Sequence, residues 1–164
     1  MTSNQPSLRP SIPEDPEIQI GVAQLVGYLL SDDVTLRARI ATGLNQVAIP
    51  GVRNLILSAV IARARSRRAC LREPAIRALE EMRPLAVECL KRELIRTRGQ
   101  RTRQKLVELL GKISPSHDRQ VTMVLAQVAY GDREHADVRE AAREAIRRVD
   151  PEFEKYAGLA QASM

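Results

Sequence analysis

Chemistry at neutral pH calls for an activated nucleophile, a proton carrier or a set of metal ligands, and this sequence offers few candidates. Its only histidines are His117 and His135, and its only cysteines are Cys70 and Cys89. None of the four has a partner at metal-ligand or redox spacing. The histidines fall at expected turns or helix starts and read as surface residues. The cysteines read as free thiols in or near a core. The adjacent acids Glu80-Glu81 and Asp32-Asp33 point in different directions from a helix, which suits solvated or capping residues rather than an acid–base couple. Phosphate-binding loops, dinucleotide fingerprints and nucleophile elbows are all missing. The sequence therefore assigns no catalytic residue, cofactor, metal or small-molecule substrate.

What it does concentrate is guanidinium. The net charge is +6, yet residues 1–62 carry net −1 and residues 106–164 net −2, so residues 63–105 carry net +9. Within that block lie Arg65-Ser66-Arg67-Arg68 and Arg96-Thr97-Arg98-Gly99-Gln100-Arg101. Arg65, Arg67, Arg68, Arg96, Arg98 and Arg101 are the candidate anion- or partner-binding residues. Like charges held together repel unless they are solvated or meet an anion. A solvated rim is the plainer account of the same six residues.

The elements that position these arginines are helical. The chain is 44% apolar and 28% charged, with one Phe and no Trp. Its apolar residues recur at spacings of three and four, which predicts an all-α protein. The longest mainly apolar run, Ile18 to Leu30, is too short to cross a bilayer and predicts no membrane insertion. No basic-then-apolar leader is recognisable, so a cytoplasmic location is expected.

The helices repeat. Arg139 is followed at +3, +7 and +10 by Ala142, Ile146 and Val149, and at +12 by Pro151. Arg72 is followed by Ala75, Leu79, Met82 and Pro84; Arg103 by Leu106, Leu110, Ile113 and Pro115. Arg37 is followed by Ile40, Leu44 and Val47, with Pro50 one place late. The four arginines lie 35, 31 and 36 residues apart. Such spacing predicts four helical hairpins at about 17–48, 50–83, 84–114 and 115–149, each unable to bury its apolar face alone. Residues 1–15, with Pro6, Pro10 and Pro13, read as a disordered tail ahead of a repeat domain over 16–158. A short capping helix with Phe153 and Tyr156 closes that domain, and 159–164 read as a flexible end. Pro74 should delay its helix to about Glu73, and Ser114-Pro115 should open the one that follows.

Asp137-Val138-Arg139, Ala141-Ala142 and Ala145-Ile146, with the looser copy Asp33-Val34, Leu36-Arg37 and Ile40-Ala41, resemble the HEAT-like repeat family. The likeness is greatest to its short bacterial form named after phycobilisome lyases. This resemblance implies a right-handed α-solenoid of about four hairpins whose second helices line the concave side. It also implies that an acid near the turn pairs with the arginine: Asp32 or Asp33 with Arg37, Asp132 or Asp137 with Arg139. The two middle turns depart from that pattern, because neither contains an acid. Tetratricopeptide repeats have a similar length but carry large aromatics that are missing here.

On that footing the expected function is a non-enzymatic scaffold that binds a protein partner. Its concave positions, at +2, +5 and +9 of the template, include Arg39, Gln46, Arg77, Glu81, Lys105, Glu108, Lys112, Glu144 and Arg148. The alternative is a nucleic-acid backbone binder using the arginine edge. A weaker alternative, implied only by enzymatic branches of the family, is a chromophore-lyase-like or DNA-glycosylase-like subunit.

Overall fold

The computed structural model of the protein describes residues 16–46 and 50–153. The expected tail, the Val47 position of the first template, Tyr156 and the expected flexible end lie outside the described residues. Among those described, eight helices follow one another and no strand occurs. They are α1 (Pro16–Leu29), α2 (Val34–Gln46), α3 (Pro50–Ala64), α4 (Ala69–Glu81), α5 (Arg83–Arg96), α6 (Gln100–Ile113), α7 (Arg119–Ala129) and α8 (Ala136–Val149). First helices pack on first helices, α1 on α3, α3 on α5 and α5 on α7. Second helices do the same, α2 on α4, α4 on α6 and α6 on α8. The protein is an all-α helical repeat.

The four template arginines occupy one structural position: Arg37, Arg72, Arg103 and Arg139 are each the fourth residue of a second helix. Their backbone N–H groups donate to Asp33, Arg68, Gly99 and His135 respectively, the residue just outside each helix. In the last three copies every apolar template position is buried. In the first, Leu44 is buried and Ile40 only half-buried. Residues from all eight helices meet in one apolar core.

Two proline-based boundaries differ from expectation. α4 starts at Ala69 and carries Pro74 inside it. The proline removes one helical hydrogen bond, to the Cys70 carbonyl, and Cys70 sits on an exposed turn that water can reach. Cys70, expected as a free thiol in or near the core, is exposed. Cys89 is buried, and its burial pushes the thiol up. The second boundary is α7, which starts at Arg119 rather than at Pro115. Asp118 Oδ1 accepts from the N–H groups of Gln120 and Val121 at 3.0 and 3.1 Å, a strong helix start. His117, just before it, is held at φ 60°, a left-handed backbone that no helix can include. Pro50 and Pro84 do lie in the first turn of α3 and α5, where a missing N–H costs nothing. Met82 is both the last cap of α4 and the first of α5, so these helices join without a loop.

The seam between α6 and α8 is the closest in the stack. A Cβ built on Gly111 would lie 2.6 Å from Ala145 Cβ and 2.8 Å from its Cα, so only glycine permits this crossing. Gly43, by contrast, has nothing within 4 Å and serves no close packing.

Candidate functional site

The repeat arginines do different things despite their shared register. Arg37 has a side chain only 6% exposed. Its Nη1 donates to the Ser31 carbonyl at 2.9 Å, and its Nε donates to Glu81 Oε1 at 2.6 Å. Arg103 Nη1 donates to the Thr97 carbonyl at 2.8 Å and to that of Leu94. Its Nε and Nη2 grip Glu134 as a fork, at 3.1 and 2.6 Å. Ser31 and Thr97 each lie six residues before the arginine, just past the end of the preceding helix. Both arginines therefore satisfy carbonyls that the end of the first helix leaves unpaired, while a charge-assisted bond ties them to the next repeat.

The acids are not those implied by the family resemblance. Arg37 is served by Glu81 in the following repeat, not by Asp32 or Asp33; Asp33 instead caps α2 by accepting from the Leu36 N–H at 3.0 Å. The side chain of Arg139 makes no ion pair or hydrogen bond among the described residues, and Asp137 accepts from Gln100 at 3.1 Å. Arg37 and Arg103 each reach a carbonyl of their own preceding turn through Nη1, while the carboxylate they meet comes from the next repeat.

Arg72 engages neither a carbonyl nor the next repeat. Its Nε donates to Glu73 Oε1 at 3.0 Å, and its side chain is 40% exposed. Glu73 also faces Lys112 across the stack at 3.8 Å. The hydrogen bond from Arg72, then the Lys112 charge, hold the Glu73 carboxyl below the usual carboxylate range.

These residues line a groove of about 970 Å³ between α4, α6 and α8. Of the expected concave residues, Lys105, Glu108, Lys112, Glu144 and Arg148 line it. Arg39, Gln46, Arg77 and Glu81 do not; Glu81 is spent on Arg37, and Arg77 reaches Asp32 at 3.4 Å. Sequence reasoning missed Arg72, Glu73, Gln104, Asp137 and Glu140, all of which line the groove. Three of these, Glu73, Gln104 and Glu140, share template position +1. At 3.6 residues per turn that position falls on the same face as +2, +5 and +9, so the signal was present. Charge is unequal across the groove. The α4 side presents Arg65, Arg67, Arg72 and Glu73, whereas α8 presents Asp137, Glu140, Glu144 and Arg148.

The six edge arginines divide as well. Arg65 leans on Glu93 of α5 at 3.7 Å, an acid outside either turn, and lines the groove with Arg67. The side chains of Arg67, Arg68, Arg96, Arg98 and Arg101 are exposed and have no polar partner among the described residues. Among those same residues, no three of His, Cys, Asp or Glu come together as a metal set. No helix described is long and apolar enough to cross a membrane.

Fold and groove define a class, the helical-repeat proteins that present a face of second helices. Comparison with known proteins goes no further: no protein-family model, no curated protein and no solved structure matches the chain.

Proposed function

We propose that the chain is a non-enzymatic binding scaffold, a small HEAT-like stack that acts in the cytoplasm and takes a protein partner in the α4–α6–α8 groove. The observation that supports this reading is the groove itself, continuous over three second helices and lined by both charge signs. A mixed lining suits a peptide or protein surface, whose polar groups are also mixed. The test is capture from the native host with the wild-type chain and with a Lys105→Ala, Glu108→Ala, Glu144→Ala variant. A partner held by the wild type should be retained at least about tenfold less by the variant, given about 1.4 kcal/mol per tenfold. Equal retention would remove the groove from the account.

A second reading, a nucleic-acid backbone binder, is favoured by one observation: five exposed arginines of the two middle turns have no polar partner among the described residues. If all six edge arginines met phosphates of a duplex, the log–log salt slope would be about −5. Replacing Arg65, Arg67 and Arg68, or Arg96, Arg98 and Arg101, by Gln should remove about half of it.

A further inference from the structure

Each locked arginine takes its carboxylate from the following repeat, at one of two register positions. Glu134, the partner of Arg103, lies five residues before the next template arginine, Arg139. Glu81, the partner of Arg37, lies nine residues after the next one, Arg72. For Arg72 the next template arginine is Arg103, and the same two positions hold Arg98 and Lys112. Both are cations. The following repeat therefore supplies Arg72 with no carboxylate at either position. Glu73 meets only Nε, and no described residue accepts from Nη1 or Nη2. Those two nitrogens belong to a half-exposed side chain that lines the groove, as do the cationic Arg65 and Arg67.

We propose that the groove takes an acidic segment of a protein partner, with a partner carboxylate beside Arg72 in the role that Glu81 and Glu134 play for Arg37 and Arg103. The proposal rests on the protein-binding reading above and names the chemistry of the partner. A nucleic acid fits the groove less well. Duplex phosphates come at about one charge per 1.7 Å of axis, and the same groove carries Glu108, Asp137, Glu140 and Glu144, which would repel such a run. A peptide can put its acids against α4 and its amide or basic side chains against α8.

The test uses the full chain and two labelled fifteen-residue synthetic peptides, one repeating Glu-Ala-Gln and one with every Glu replaced by Gln, followed by fluorescence anisotropy. The acidic peptide should bind at least about tenfold more tightly, as expected for a charge-assisted hydrogen bond. Arg72→Gln should abolish that preference. A second arm needs no ligand. Arg98→Glu supplies the missing internal acid in the register of Glu134, so it should raise the thermal midpoint by about 2–4 °C and weaken the acidic peptide at least about tenfold. Arg101→Glu makes the same charge change three residues on, in the first turn of α6 and outside that register. It should leave the midpoint unraised and weaken the peptide by less than about threefold.

If Arg98→Glu fails to raise the midpoint, the unfilled place beside Arg72 is refuted whatever binds. If both peptides bind alike, the protein-binding reading survives and this proposal falls. If neither peptide binds while a twenty-base-pair duplex does, with a slope near −5, both fall.

Discussion

The junction between the third and fourth repeats and the junction between the second and third are built from equivalent helices in the same register, yet they differ in kind. In the former, Gly111 lets α6 meet α8 at Ala145, Arg103 grips Glu134 with two hydrogen bonds, and Gln100 reaches Asp137. In the latter, α4 and α6 flank the groove, and the polar links across the repeats are exposed or long. Ser58 donates to Glu93 at 2.9 Å, Arg92 to Asn54 at 3.1 Å, and Lys112 faces Glu73 at 3.8 Å. A repeat arginine ties the stack together only where the next repeat brings an acid to it. Where the next repeat brings cations, the arginine is left for solvent or for a partner.

The largest expected effect that sharpens this contrast lies in the core behind the tight junction. Leu110 is fully buried in α6, so Leu110→Ala should cost about 2–5 kcal/mol in chemical denaturation. Lys112→Ala, two residues on and facing the groove, should be nearly silent. Equal costs would mean that α6 is faced wrongly.

Next comes the crossing itself. Gly111→Ala must push α6 off Ala145 and should cost about 1–3 kcal/mol, although alanine is the better helix former. Gly43→Ala, with open space around it, should instead stabilise by a few tenths up to about 1 kcal/mol. The contrast between junctions would break if both substitutions had the same sign.

The smallest effect is electrostatic. With its carboxyl held below the usual range by Arg72 and Lys112, Glu73 favours the folded state fully above the ordinary carboxylate range. That contribution is lost as pH falls through the lowered midpoint. A side-chain NMR titration should place Glu73 below a free glutamate, and Arg72→Gln should move it back up. A midpoint unchanged by Arg72→Gln would detach Glu73 from the arginine.

Much of this architecture was readable beforehand because it is periodic. Arg37, Arg72, Arg103 and Arg139 mark the fourth residue of each second helix, and the buried positions after them follow 3.6-residue geometry. What sequence reasoning missed was not periodic. Pro74 breaks a rule that holds for average helices, and here the lost bond faces an exposed turn. His117 and Asp118 move the start of α7 by a local backbone device that the more obvious Pro115 masks. Glu81 lies 44 residues from Arg37, so no local pattern proposes the pair. The groove was half legible. Lys105, Glu108, Lys112, Glu144 and Arg148 follow from the second-helix face, but in sequence Arg72 stands out only as a repeat marker.

The central claim is that a carboxylate from the following repeat decides whether a repeat arginine is locked. Two double-mutant cycles measured by chemical denaturation test it most directly, Arg103→Ala with Glu134→Ala, and Arg72→Ala with Glu73→Ala. A coupling of about 1–3 kcal/mol is expected for the first pair, a fork whose two side chains are each less than one-fifth exposed. A far smaller coupling is expected for the second, an exposed pair of chain neighbours. Equal coupling in the two cycles, or the larger value at Arg72, would contradict it.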